Sequence, residues 1–420
     1  MVGRRRPAAA CVPVNDDVRR PIAASRLRVL VIHPAMAPYR TDLFNDLAAR
    51  ADLRVLFVRA VPPYDPNLRR EDLAKDLLCD WSVLADRSRY PVQTLPFRLR
   101  REVAEFRPDV IVTHEFGTAS ALSTLTPIVG RDVGRIVWTS RSRQQFETLS
   151  TTRRLAVRAV APRADALLAY SAAARAGLAA IAAIPEQGIF LCANHQNSAR
   201  LRDLAASTRE SVLEACRRRG LASRPLITTI GRLVEIKDIA TTIRGFAAAR
   251  HTLRDAVLVI VGEGPLRSAL ERLVLELEMS GKVVFLGHLP VAEVQGWLSL
   301  SSVNVLASLV EPYGAVVAEG LAHGVPCICS AAAGAALLIN SSARGVVVRP
   351  ADVEAMATAL RSRAAGLESV GNLAATHRDD LRPATLADDV AGFMAAVEHA
   401  VASSSSRVGR KTPRARHQRA

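Results

Sequence analysis

The stretch EPYGAVVAEGLAHGVPCICS runs from Glu311 to Ser330 and sets the reading of the rest of the chain. Two carboxylates, Glu311 and Glu319, stand seven residues apart within it. A turn, Pro312-Tyr313-Gly314, follows the first, and a run of good helix formers carries the second. Gly324 can take the left-handed cap conformation and Pro326 lies just beyond, so a helix is expected to stop at Gly324. VPCIC then reads as a short buried strand. Glu311 is therefore expected on a loop at a helix N-terminus, with Glu319 about one and a half turns in. Backbone N–H groups near Gly314 and Ala315 can bind an anion, helped by the helix dipole. Carboxylates suit sugar hydroxyls, because each oxygen accepts strong hydrogen bonds. A ligand with phosphate in its middle and polyols at both ends, such as a nucleotide sugar, fits that combination. A solvated acidic helix start reads the same pair equally well, so the surrounding chain has to decide.

Working outward, strands and helices alternate on both sides. Before the stretch, VLVIH (Val29–His33), LRVLFV (Leu53–Val58), DVIVTH (Asp109–His114), RIVWTS (Arg135–Ser140), DALLAYS (Asp165–Ser171) and IFLCA (Ile189–Ala193) read as strands. Helices are expected from about Thr41 and over Arg100–Phe106, Thr118–Val129, Thr151–Ala161 and Ala172–Ala183. No regular core is read between Pro62 and Tyr90. A polar, basic segment from Asn194 to Arg224 separates this half from a second. There PLITTIG, AVLVIVG, KVVFLG, VNVLAS, VPCIC and GVVVRP supply strands, and a last amphipathic helix starts near Thr385. Alternation of this kind implies parallel, doubly wound sheets, which bind ligands at the carboxyl ends of their strands. The expected fold class is α/β, two Rossmann-like domains facing across a cleft. The expected boundaries are a disordered basic tail at 1–25, a first Rossmann-like domain at 26–200 and a second at 201–384. A C-terminal helix at 385–402, packing back towards the first domain, and a disordered basic tail at 403–420 complete the chain.

Composition narrows the partners. The formal net charge is +16, but residues 403–420 hold six basic side chains and no acid, and residues 1–26 hold six arginines against Asp16 and Asp17. The ends thus carry most of the excess, which speaks against a basic nucleic-acid-binding body. No apolar run reaches membrane-spanning length, and no apolar h-region follows Arg4, Arg5 and Arg6. The six cysteines form no CxxC pair and no zinc-ligand spacing. A cytoplasmic protein is expected, with peripheral contact on the inner face of the cell membrane as a further expectation. Arg98, Arg100 and Arg101, and Arg153, Arg154 and Arg158 beside Leu155 and Val157, could rest on anionic lipid. A solvated basic helix reads these clusters as well.

Other loops after second-half strands suit phosphate. GRLVEIKD places Arg232 and Lys237 just after Gly231, and both can counter a diphosphate. VGEGP brings Gly262 and Gly264 to a strand-to-helix turn where a ligand could approach the backbone, although a plain tight turn explains it too. The order GRLVEIKD, VIVGEGPLRSAL, KVVFLGHL, EPYGAVVAEGLAHGVPCI and GVVVRPADVEAMATAL resembles the family-4 glycosyltransferases of GT-B fold, over about residues 226–362. APYRTDLFNDLA, RADALLAYSAAARAGL and IPEQGIFLCANHQN resemble the family more loosely. The pattern departs from it at Leu337, at Ala307 and in the PAMAPYR loop, where Tyr39 or Arg40 can compensate.

The resemblance implies a retaining transferase that uses a nucleotide-diphosphate sugar as substrate, with no metal or other cofactor. It implies a glycan or lipid-linked acceptor of the cell envelope, with 26–200 the acceptor-side domain and 201–384 the nucleotide-sugar-binding domain. The charge distribution and the lack of a nucleic-acid motif imply no specific nucleic acid. By position it makes Arg232 and Lys237 the diphosphate ligands, Glu311 the acid beside the donor sugar and Glu319 the ribose ligand. Gly314 and Ala315 become the backbone donors to phosphate, and His114 a group facing sugar and acceptor. An epimerase-like nucleotide-sugar enzyme and a non-catalytic nucleotide-sugar binder are the competing readings.

Overall fold

The computed structural model describes residues 26–37, 40–60, 71, 74–85, 95–193, 195–373 and 386–409. The N-terminal tail, residues 410–420, Tyr39 and Asn194 lie outside the described residues. The chain divides into two compact units. One comprises Met1–Thr139, Leu149–Cys192 and Asp389–Ala420, and the other Ser140–Thr148 and Ala193–Asp388.

The first unit holds β1 (Arg28–Ala35), β2 (Asp52–Arg59), β3 (Asp80–Ala85), β4 (Val110–His114), β5 (Gly134–Thr139), β6 (Ala166–Ala169) and β7 (Ile189–Leu191). All pair in parallel, in the order β3-β2-β1-β4-β5-β6-β7. The strand order reverses between β1 and β4. The second unit holds β8 (Leu226–Ile230), β9 (Val257–Val261), β10 (Val283–Gly287), β11 (Val303–Leu306), β12 (Cys327–Ser330) and β13 (Gly345–Val348). These are also parallel, in the order β10-β9-β8-β11-β12-β13, with the reversal between β8 and β11. Central strands such as VLVIV (β9) are buried along their whole length, as continuous apolar runs covered by helices on both faces should be.

Four expectations are corrected by the fold. The break between the units falls at Cys192–Ala193 rather than at residue 200. The segment read as a polar separator is a 21-residue helix, Ser198–Arg218, capped by Asn197, whose side chain accepts from the backbone of Ala199 and Arg200. Its buried stripe, Leu201, Ala205, Val212 and Cys216, is built partly of small residues, so its periodicity is faint in sequence. Within Pro62–Tyr90, Asp80–Ala85 forms the edge strand β3.

The last helix runs over Leu386–Gly409, not to residue 402. Ser404 is buried, and the Arg407 guanidinium clasps Asp165 and donates to the carbonyls of Arg131 and Val133. Those contacts hold as helix a serine run that composition alone assigns to a tail.

Candidate active site

Gly231, Arg232 and Lys237 follow β8, and Glu311 follows β11. The two loops leave the sheet on either side of its reversal, where doubly wound sheets bind ligands. The loops are tied by main chain, with Leu309 N–H donating to Ile236 O at 2.9 Å. Lys237 Nζ forms an ion pair with Glu311 Oε2, and Ser308 Oγ lies 3.4 Å from the same oxygen. The lysine side chain is 20% exposed and the glutamate 12%, so the pair is screened from water yet reachable. Asp238 ends the β8 loop in the left-handed region (φ 46°) and caps the helix Ile239–Ala248 through Thr241 N.

Gly314 (φ 91°) is the N-cap of the helix Ala315–Ala322. A Cβ there would lie 2.5 Å from Leu306 Cδ2, so both conformation and space call for glycine. Gly314 and Ala315 thereby present the start of that helix beside Glu311. Tyr313 is buried, its ring edge-on to His195, and its carbonyl accepts from Ala335 N at 2.7 Å.

Gly262 and Gly264 serve a different neighbour first. A Cβ on Gly262 would sit 2.0 Å from Gly231 O, and one on Gly264 2.4 Å from Leu233 O. The space that these glycines leave is filled by the main chain of the β8 loop. Leu233 N–H donates to Glu263 O there, at 2.9 Å. They hold the loop that carries Arg232 and Lys237.

Glu319 lies in the helix Ala315–Ala322, and both its oxygens accept amide hydrogen bonds. Gln196 Nε2 donates to Oε1, and Gln295 Nε2 donates to Oε2 at 2.9 Å. Burial raises the Glu319 carboxyl above its ordinary value, and the two amide bonds oppose that rise. His323 Nε2 contacts Gln295 Oε1 at 2.8 Å. Burial, then the nearby Arg202, pushes His323 down to about 4.

His114 is in the first unit, apart from the other nine site candidates, at the end of β4 and so at the β1/β4 reversal. Its ring lies 5.0 Å from that of His33, at the end of β1, and 5.7 Å from that of Trp138. His33 Nδ1–H donates to Ala35 O. Burial, with His114 and Arg40 nearby, holds His33 well below its ordinary value. Arg40 is buried, its guanidinium 4.1 Å from the centre of the Trp138 ring and 5.1 Å from that of Tyr170. Glu115 follows His114 in the left-handed region (φ 62°), its carboxylate accepting from Thr139 Oγ1 at 3.1 Å. Sequence reading did not single out His33, Glu115, Gln196, Gln295 or His323. Among the described residues, no group of three His, Cys, Asp or Glu side chains could hold a metal ion.

Two doubly wound parallel α/β domains, with cationic and acidic loops at a strand-order reversal, define the class: the fold is GT-B. Residues 217–365 match the family described as glycosyl transferases group 1. The chain is 28% identical over 278 residues to a GDP-mannose-dependent alpha-(1-6)-phosphatidylinositol monomannoside mannosyltransferase of Mycolicibacterium smegmatis, spanning 64% of this chain and 71% of that one. The Mycobacterium tuberculosis protein of the same name is 27% identical over 325 residues, 73% of this chain and 82% of its own. Among solved structures, Anabaena HepE in complex with UDP superposes with a TM-score of 0.65 at 15% identity, covering 91% of this chain and 99% of that one. The chain is a glycosyltransferase enzyme.

Proposed function

We propose that the chain is a retaining glycosyltransferase that moves a sugar from a nucleotide-diphosphate donor to a lipid-linked or cell-envelope glycan. The observation that carries this is the Lys237–Glu311 pair bridging the β8 and β11 loops, beside the helix start at Gly314 and Ala315. As the anomeric C–O bond breaks, negative charge grows on the leaving diphosphate. Arg232, Lys237 and the helix N-terminus are the groups to stabilise it. Glu311 would lie beside the donor sugar, and Glu319 would hold the ribose. In the retaining reading, attack comes on the face the diphosphate leaves, with a donor phosphate oxygen taking the acceptor proton. His114 would face sugar and acceptor. A glycosidase would need two carboxylates flanking one bond, one of them a proton donor, whereas Glu311 is paired with a lysine. The mannosyltransferases named above are GDP-mannose-dependent, and HepE binds UDP, so guanine and uracil donors are the first to test.

The test is a thermal-shift screen of nucleoside diphosphates. The cognate one, at a hundred times its dissociation constant, should stabilise the protein by about 2.7 kcal/mol. No shift with any nucleotide would favour the non-catalytic reading. With two cations at the diphosphate, turnover is expected to persist in chelator, and strict dependence on added Mg²⁺ or Mn²⁺ would contradict this mechanism.

A lipid-borne acceptor agrees with one face of the first unit. The β3–β4, β4–β5 and β5–β6 crossovers step the same way across the sheet, so right-handed connections put their helices in one layer. That layer holds Leu95–Phe106, Thr118–Leu125 and Thr151–Val160. It exposes Phe97, Leu125 and Leu155 and carries Arg98, Arg100, Arg101, Arg153, Arg154 and Arg158. Val157 is buried in the core and does not contribute. No helix among the described residues is long and apolar enough to cross a membrane. Protein trimmed to 26–409, which keeps the last helix whole, is expected to sediment with anionic but not neutral vesicles. Binding should weaken with salt, each basic contact contributing about 1 kcal/mol. If the protein stays in the supernatant with anionic vesicles at low salt, a soluble acceptor becomes the better reading.

A further inference from the structure

Glu319 is the end of a directed chain of hydrogen bonds. An ionised carboxylate only accepts, so the Gln295 group 2.9 Å from Glu319 Oε2 must be the amide N–H₂. The other end of that amide, Oε1, is an acceptor and faces His323 Nε2 at 2.8 Å. The imidazole must therefore carry its proton on Nε2, and burial keeps the ring neutral near pH 7. One amide orientation and one tautomer satisfy the whole series His323, Gln295, Glu319. Gln196 meets the other carboxylate oxygen. With each oxygen holding one amide bond, each keeps a lone pair for a further donor.

The scaffold behind Gln295 is firm. It is 2% exposed, in the helix Val291–Ser299. That helix packs against Ser198–Arg218 so closely that a Cβ on Gly296 would lie 2.6 Å from Thr208 Oγ1. Thr208 Oγ1 donates to Ala292 O at 2.9 Å. A side chain fixed this way sets the angle of the carboxylate rather than following it.

We propose that Gln295, held in one amide orientation by His323, is a positioning residue that aims the Glu319 carboxylate at the ribose hydroxyls of a nucleotide. This rests on the ribose role proposed for Glu319. A vicinal diol needs two acceptors at a fixed spacing and tilt, and a buried carboxylate free to rotate would meet only one hydroxyl well. Without the His323 bond, the amide loses its second anchor, and the Gln295 side chain can swing away from the carboxylate.

The test is direct binding by calorimetry, which needs no acceptor. GDP is compared with 2′,3′-dideoxy-GDP, and UDP with 2′,3′-dideoxy-UDP, on wild type, Gln295→Met, His323→Leu and His323→Gln. Wild type should prefer one ribonucleotide over its dideoxy analogue by a clear margin. Gln295→Met and His323→Leu should each lose about tenfold in affinity for that ribonucleotide, the size of one charge-assisted hydrogen bond. Their affinity for the dideoxy analogue should stay at the wild-type value. His323→Gln can still donate to Gln295 Oε1 and should restore the preference. If wild type does not distinguish ribo from dideoxy, the ribose role of Glu319 fails. If wild type distinguishes them and both disrupting variants do so equally well, Glu319 keeps its role and the positioning proposal is overturned. Equal weakening of both nucleotides also overturns it, because that signals general damage rather than a lost alignment.

Discussion

Lys237→Ala and Arg232→Ala are each expected to lower turnover by a hundredfold or more. In the proposed mechanism, charge on the leaving diphosphate develops in the transition state beside these two cations, and a lost fixed cation there costs about 3 kcal/mol. Because the missing interaction strengthens as the bond breaks, the loss should fall mainly on kcat, with a smaller rise in KM. Lys237→Ala has a second effect. It leaves Glu311, whose side chain is 12% exposed, without the ammonium it pairs with, and an uncompensated buried charge is costly in itself. Lys237→Ala/Glu311→Gln should therefore recover stability relative to Lys237→Ala without recovering turnover. Release of nucleoside diphosphate from the donor, read beside a thermal melt, separates the two effects. Wild-type turnover in either single variant would remove these residues from the mechanism.

Much of this site could be read from sequence because its parts are punctuated. Gly314 sits where only a positive φ and a missing Cβ allow the loop to turn into the helix, and Gly324 and Pro326 mark where that helix ends. Apolar runs such as Val257–Val261 announce buried parallel strands. The cations after β8 and the acid after β11 are near their strands in sequence, so topology alone brings them to one edge.

Gln295 could not be read in that way. It lies inside VAEVQGWLS, a helix whose pattern says nothing of an amide pointing at a carboxylate 24 residues on. Gln196 and Glu319 are 123 residues apart. The Ser198–Arg218 helix, which holds Gln295 in place from behind, hides its buried stripe in alanine and cysteine. Gly262 and Gly264 show the opposite problem. Their need for close approach was legible, but not that the approaching group is the β8 loop.

Phe393→Ala is expected to destabilise the first unit by about 3–4 kcal/mol, the usual cost of emptying a phenylalanine site in a packed core. The ring is 1% exposed and stands nearly perpendicular to Trp138, with centroids 5.8 Å apart. Trp138 is itself fully buried on β5 and carries the Arg40 guanidinium 4.1 Å from its ring centre. The cavity would thus open beside a cation that depends on that ring for its surroundings. The main chain leaves little room to collapse into it. A Cβ on Gly392 would lie 1.8 Å from Leu191 O, and one on Gly134 3.0 Å from Ala400. The helix that carries Phe393 is therefore seated directly on β5 and β7, although it comes from the far end of the sequence. A first unit built this way completes its core only when the helix Leu386–Gly409 arrives. Hydrogen exchange at the β5 amides reports on this unit separately from the second, and it should speed up by two orders of magnitude or more in Phe393→Ala. Arg407→Ala, which removes the partner of Asp165 at the helix end, should give a smaller increase. Unchanged β5 exchange in Phe393→Ala would mean that the helix only lies against the unit and is no part of its core.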